Sequence, residues 1–246
     1  MTGSSMASPG RNEKALSPSR GQRRILLTGV DGSIGLAVEE RLRANGDNLI
    51  LLAHAPIAKR GDLRVDFSDH QALADAVSGV EAPLDGIVIA HGALRPGPFG
   101  RVGPAEWREL LDTNLNSVYT ILHAARDKLR AAGSIVIVSS TAALDHSPVG
   151  GPHYTASKWA LNGLVRHLVD ELGAQGIRIN AVCPGFVDNP MGRAFLTEED
   201  IRQAVQTIPL RRAARPAEVA AVIHFLLSDE ASYVTGAAVP VSGGFQ

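Results

Sequence analysis

The stretch that decides the fold is Ile25-Leu26-Leu27-Thr28-Gly29-Val30-Asp31-Gly32-Ser33-Ile34-Gly35. Its apolar residues read as a buried strand, its glycines as a tight turn, and the residues after Gly32 as the start of a helix. Glycine lets the backbone turn sharply and approach a pyrophosphate closely, while the free N–H groups of the following helix receive the anion. An ordinary strand–helix turn explains this stretch alone equally well. Its weight comes from its surroundings.

Further apolar runs stand at Leu49–Leu52, Ile87–Ile89, Ile135–Val138, Ile177–Val182 and Ala237–Val241. They are nearly continuous rather than alternating, as in parallel strands covered on both faces. Helical patterns lie between them, with readable starts. Ser68 and Gln71 form a capping-box pattern, Pro104 and Pro216 suit a first helical turn, and Thr197-Glu198-Glu199-Asp200 opens another helix. This alternation predicts an α/β fold, a Rossmann-type doubly wound parallel sheet with helices on both faces. It occupies a single domain, residues 23–246. Residues 1–22 are rich in Ser, Gly, Pro and Arg, with no apolar core segment. They read as a flexible tail without chemistry, and not as a secretory signal. Between Ala53 and Arg64 the connection includes Pro56 and Gly61 and is short for a full crossover helix. A turn, or no helix, is expected there.

Composition excludes several functions. The 246 residues are 45% hydrophobic and only 4% aromatic, so the core must be Val, Ile, Leu and Ala. A net charge of −1 gives no electrostatic case for nucleic acid or an anionic membrane. No apolar run approaches the ~18 residues of a membrane span. The one cysteine, Cys183, cannot close an intramolecular disulfide, which fits a cytoplasmic protein. It reads as a packing residue, and no metal site is assigned.

The chemical signal is Tyr154-Thr155-Ala156-Ser157-Lys158. Residues four apart leave one face of a helix. A phenol with a pKa of about 10 is a poor acid or base near neutrality. A neighbouring ammonium favours the phenolate and makes it usable. Ser139-Ser140 closes the strand Ile135–Val138, at the carboxyl edge where doubly wound sheets bind ligands. Asn114 sits among Leu110, Leu111 and Leu115, where a buried amide is otherwise poorly motivated.

Together these stretches resemble the short-chain dehydrogenase/reductase family, with 3-oxoacyl-carrier-protein reductases as the nearest analogue. The resemblance runs from Arg23 to Phe245. It implies catalytic roles for Asn114, Ser140, Tyr154 and Lys158. Tyr154 would exchange a proton with the substrate oxygen, and Lys158 would lower its pKa and hold the nicotinamide ribose. Ser140 would polarise the carbonyl, and Asn114 would hold a water leading to solvent. For the cofactor it implies Gly29, Asp31, Ser33, Ile34 and Gly35 in the turn, although Ser33 stands where the family has a glycine. Asp66 and Phe67 follow the third strand. Asp66 would take the adenine amino group, or serve only as a turn residue. Ala90 and Gly92 would line the adenosine ribose, the nicotinamide end would meet Pro184, Gly185 and Val187, and Asn189 would lie near the diphosphate.

The second strand ends without a carboxylate, at Ala53-His54, with Lys59 and Arg60 nearby. An acidic residue there would grip the ribose hydroxyls and repel a 2′-phosphate. The expected cofactor is therefore NADP(H), with NAD(H) as the alternative, and His54 reads as a cofactor contact or a plain surface histidine. Ile89-Ala90-His91-Gly92 replaces the family's Asn-Asn-Ala-Gly. His91 there reads as a supporting or cofactor-contact residue rather than a base. The resemblance implies an NADP(H)-dependent carbonyl reductase or alcohol dehydrogenase acting on a small molecule. It also implies a homo-oligomer, dimer or tetramer, through the helices near Pro104 and Tyr154. Two alternatives are an NAD(H) enzyme of a ring or steroid-like hydroxyl and a cofactor-binding regulator with little turnover.

Overall fold

Successive side chains of a strand point to opposite faces, so a strand apolar throughout needs cover on both. The computed structural model describes residues 22–54 and 63–245 and meets that need with one sheet. Its strands are β1 (Arg24–Thr28), β2 (Asn48–Ala53), β3 (Leu63–Arg64), β4 (Leu84–Ile89), β5 (Leu129–Val138), β6 (Arg178–Pro184) and β7 (Ala238–Val241). The helices are α1 (Ser33–Ala44), α2 (His70–Ser78), α3 (Pro104–Leu111), α4 (Ser117–Ala125), α5 (Pro152–Ala174), α6 (Pro190–Arg193), α7 (Glu198–Thr207) and α8 (Pro216–Leu227). The expected tail up to Gly21, Lys59, Arg60 and the turn between Ala53 and Arg64 lie largely outside the described residues.

The sheet order is β3-β2-β1-β4-β5-β6-β7, and every pairing is parallel. Leu26, Ile87, Ile89, Ile135, Ile137 and Ile179 point to one face, where α2, α4 and α5 bring Leu73, Val77, Ile121 and Leu161. Ile25, Leu27, Val88, Val136 and Val182 point to the other, under Val38 and Leu42 of α1 and Val219 and Ile223 of α8. The doubly wound expectation holds for this reason. From β1 the chain winds outward to β3 and then returns to β4, which pairs with β1 on its other side. The loops beyond the carboxyl ends of these two strands diverge and open a crevice.

Local start signals were partly right. Pro104 and Pro216 occupy first turns, and Thr197 with Asp200 forms a full capping box. The cap predicted at Ser68 moves by one residue. Asp69 accepts the Ala72 N–H at 3.0 Å, while the Ser68 hydroxyl donates to Asp66 Oδ1 at 2.7 Å.

The turn after β1 needs glycine twice. Gly29 has φ +72°, and a Cβ there would run into the backbone of Ala90 and His91. A Cβ at Gly35 would run into the carbonyl of Gly29, a backbone atom with nowhere to go. Gly35→Ala is therefore expected to lose about 1–3 kcal/mol of stability through overpacking. For a chain of this size that lowers the melting temperature by several degrees, at about 2–4 °C per kcal/mol. A thermal melt matching the parent protein would show that the turn has slack.

Candidate active site

The crevice is a cavity of about 1130 Å³, above the usual range for a single drug-sized ligand. One end is walled by Gly29, Asp31, Ser33 and Ile34 of the glycine turn, with His54, Asp66 and Phe67 beyond β2 and β3. Ala90 and Gly92 lie on its floor, and the far end has Ser140, Tyr154 and Lys158. Pro184, Gly185, Val187 and Asn189 close that end. Two expected residues are not on the wall. Gly35 packs under the turn against Gly29, and Asn114 is buried behind the loop after β4.

At the first end, α1 begins at Gly32 with no side-chain cap and no acidic residue in its first turn. Its leading N–H groups have no intrahelical acceptor, and its dipole places positive charge there. That donor set fits a pyrophosphate. Gly92 adds a second fit, because a Cβ there would stand 3.4 Å from both Lys158 Nζ and Asn114 Oδ1. The floor beside the ammonium is bare backbone, as a close-lying ribose requires. Asp66 Oδ1 accepts from Ser68 N at 2.9 Å and from Ser68 Oγ, which holds its carboxyl below the ordinary value. Asp66 thus closes a turn with Ser68, and its side chain also borders the cavity. His54 Nδ1 lies 4.0 Å from that carboxylate. Asn189 Oδ1 accepts from Gly192 N at 2.8 Å and caps α6.

At the far end, α5 begins with Pro152 and carries Tyr154 and Lys158 on one face. Lys158 Nζ lies 5.7 Å from the centre of the Tyr154 ring and donates to Val138 O at 3.2 Å. Ser140 follows β5 in extended conformation, and its Oγ accepts from Ala142 N at 3.1 Å. Three of the four expected catalytic side chains therefore meet at one place. Asn114 lies in a π-helical turn, Asp112–Asn116, between α3 and α4. Its Oδ1 accepts from Ala93 N at 2.7 Å, and its Nδ2 donates to Ala93 O at 2.9 Å and Ser157 Oγ at 3.2 Å. The side-chain amide is thus committed to clamping the loop onto α5. π-turns are frequent at such sites.

His91 is buried, with Nδ1 2.7 Å from Thr28 Oγ1 and Nε2 2.8 Å from Ser117 Oγ. Burial, and next the charge of Lys158, push its pKa down to about 3. It is neutral and fully bonded, as its reading as a supporting residue anticipates. Cys183 is buried, and its thiol is pushed up chiefly by that burial, consistent with packing. Thr28, Ser117 and Ser157 were not assigned from sequence. Their partners are far along the chain, and the one available signal was that Thr28 and Ser157 lie inside the two motifs. The remaining cavity wall, with Val149, Phe186, Met191, Leu196 and Phe245, gave no readable pattern either.

Residues 29–246 match the family described as enoyl-(acyl carrier protein) reductase. The chain is 36% identical over 247 residues to Protein FixR of Bradyrhizobium diazoefficiens, covering 92% of this chain and 87% of that one. Among solved structures, BdcA in complex with NADPH has a TM-score of 0.82 at 28% identity, covering 91% of this chain and 94% of that one. A 3-oxoacyl-[acyl-carrier protein] reductase with bound NAD from Brucella melitensis has a TM-score of 0.81 at 28% identity, covering 98% of each chain.

The ionisation of the site departs from the expectation that the lysine governs the tyrosine. Burial raises the Tyr154 phenol above its usual value, and a hydrogen bond with Ser140 only partly opposes this. Burial lowers Lys158 to about 8. Loss of hydration outweighs the Ser140 hydrogen bond at Tyr154 and the influence of Cys183 at Lys158. Between pH 8 and about 10.4 the unfolded lysine binds more proton than the folded one, so its contribution to stability rises with pH. Tyr154 works in the opposite sense, since its raised pKa costs stability as pH climbs through and past the unfolded value of about 10. Lys158→Met is therefore expected to remove a stability increment that grows from pH 8 to 10. Denaturant melts of both proteins across that range check it, and parallel curves would refute a buried, titrating lysine.

Proposed function

This chain belongs to the short-chain dehydrogenase/reductase family, and from that premise we propose that it is an NADP(H)-dependent oxidoreductase of a carbonyl or secondary alcohol. The observation that carries the reading is the convergence of Ser140, Tyr154 and Lys158 at one end of a crevice whose other end is an uncapped helix N-terminus. The nicotinamide supplies or accepts the hydride at its C4. The protein's own part is binding, orientation and proton transfer. The N-terminus of α1 would receive the pyrophosphate, Asp66 the adenine amino group, and the backbone at Ala90 and Gly92 the adenosine ribose. Lys158, beside Gly92, would hydrogen-bond the nicotinamide ribose, Val187 would hold the carboxamide end, and Asn189 would lie near the diphosphate.

Carbonyl reduction leaves negative charge on the substrate oxygen. Tyr154, protonated at neutrality, donates its phenolic proton to that oxygen, and Ser140 donates a hydrogen bond to it. In the reverse direction the phenolate takes the alcohol proton, and the nearby ammonium favours that phenolate. The preference for NADP(H) rests on His54 at the end of β2, where a carboxylate would exclude the 2′-phosphate. One solved relative holds NADPH and the other NAD, so this residue carries the argument. Apolar side chains on the substrate side, such as Val149, Phe186 and Met191, favour a substrate with apolar bulk. We place the homo-oligomeric contact on α4 and α5, where Tyr119 and Trp159 are exposed. The lone, buried Cys183 suits the cytoplasm.

Tyr154→Phe should lower turnover on a carbonyl panel about 10²–10⁴-fold, the usual worth of a positioned acid. NADPH binding should persist within a few-fold, read by nicotinamide fluorescence. Turnover that survives the substitution would remove the phenol from the chemistry. His54→Asp tests the cofactor separately. It should weaken NADPH by about tenfold or more relative to NADH, since an adjacent like charge costs well over 1 kcal/mol. An unchanged ratio of the two dissociation constants would detach His54 from the 2′ position.

A further inference from the structure

Both nitrogens of His91 have partners, and those partners settle which one carries the proton. Ser117 Oγ donates to Thr113 O at 2.6 Å, so its single hydrogen is spent. It therefore faces His91 Nε2, at 2.8 Å, as an acceptor. Nε2 carries the ring proton, and Nδ1 presents a lone pair. Thr28 Oγ1, 2.7 Å from Nδ1, donates to that lone pair while accepting the Ala90 N–H at 3.2 Å. The donors thus run in one direction, from Ala90 N–H to Thr28, from Thr28 to His91, from His91 to Ser117, and from Ser117 to Thr113 O. Phe67 stacks on the ring, with centroids 4.0 Å apart and planes 3° from parallel.

This chain of bonds joins three parts of the molecule. Thr28 ends β1 and starts the glycine turn. Ala90 and His91 begin the loop after β4, and Ser117 and Thr113 belong to α4 and its π-turn. Two residues beyond His91, Asn114 clamps the same loop at Ala93. The residues held between, Ala90 and Gly92, form the floor of the crevice, with Gly92 next to Lys158 Nζ.

We propose that His91 is a positioning residue, a neutral imidazole strut that fixes the Ala90–Ala93 loop between Thr28 and Ser117. It thereby sets the backbone surface against which a dinucleotide ribose rests and beside which Lys158 stands. The proposal rests on reading the crevice as a dinucleotide site. Protonation of His91 would turn Nδ1 into a donor facing the Thr28 hydroxyl and bring a second cation toward Lys158. Burial and that charge hold the pKa to about 3, so the strut persists at any pH where the enzyme works. Phe67 contributes a flat apolar cover and no competing donor.

The test is dinucleotide binding, measured without turnover by fluorescence titration with NADPH and with NADH, alongside thermal melts. His91→Leu removes both bonds. His91→Asn can still accept from Thr28, and His91→Gln can still donate to Ser117. His91→Leu should weaken both dinucleotides by about tenfold, by an equal factor for each, as expected for lost buried hydrogen bonds. The factor is equal because the strut lies away from the 2′ position, and Asn and Gln should fall between. Should His91→Leu fail to fold, Thr28→Val and Ser117→Ala each remove one of the two bonds to the ring, with the hydroxyl's other bond, and should each weaken binding several-fold. Binding within twofold of the parent, with only the melting temperature lowered, would reduce the ring to packing and overturn the strut. A parent protein that binds neither dinucleotide would overturn the reading of the site as well, so the two failures are distinct.

Discussion

The close approach of two backbones at the switch point of the sheet is the constraint from which the rest follows. Gly29 lies so near Ala90 and His91 that no side chain fits between them, and Gly35 lies equally near the carbonyl of Gly29. That contact presses the turn after β1 against the loop after β4. It also aims the N-terminus of α1 into the same crevice that Lys158 enters from α5. Without it, the uncapped N-terminus of α1 and the Tyr154–Lys158 face of α5 would still exist, but in separate places. The fold supplies the divergence of loops, and the glycines supply the closeness.

Closeness of backbone carries a cost in polar groups that water can no longer reach. The loop after β4 meets this with a small set of side chains, each bonded to more than one partner. Thr28 and His91 serve one side, and Asn114 with Ser157 serves the other. In surroundings of low dielectric such bonds are strong, and any left unmade is expensive. The family pattern has asparagines at the two positions filled here by Ile89 and Ala90. In this chain Ile89 packs in the core, and polar support comes from His91, two residues on. A histidine can reach in two directions where an alanine reaches in none, which explains why the loop keeps its polar ties although both asparagines are gone.

The sheet was legible because burial on both faces leaves strands no polar alternation, a signal that Ile87–Ile89 and Ile135–Val138 give without ambiguity. Helix starts with a single candidate cap, such as Thr197, were legible too. At Ser68-Asp69 two candidates compete, and the outcome depends on Asp66, which captures the serine hydroxyl. Tyr154 and Lys158 could be paired from spacing because a helix makes them neighbours. Spacing could not tell that Gly35 and Asn114 face away from the cavity. That depends on packing against residues distant in sequence. The same holds for the partners of His91, which lie 63 and 26 residues away. The remaining cavity wall is assembled from loops and from α7, whose sequence constrains its own capping but not its direction.

The ionisation of Tyr154 and Lys158 joins these points. Each group alone is driven by burial toward its neutral form, the phenol upward and the ammonium downward to about 8. Below that pH the lysine keeps its charge while the tyrosine keeps its proton. This is the combination suited to a carbonyl oxygen that gains negative charge, with a proton to give and a cation at hand. A weakly hydrated cation stabilises developing charge more strongly than one in water, because less solvent screens it. The desolvation that opposes phenolate formation keeps the phenol protonated at neutral pH. Oxidation needs the phenolate instead, and so gains as the pH rises toward the titration of Tyr154. The same burial that makes the pair costly to assemble thus sets its state at neutral pH, a protonated phenol beside a charged ammonium.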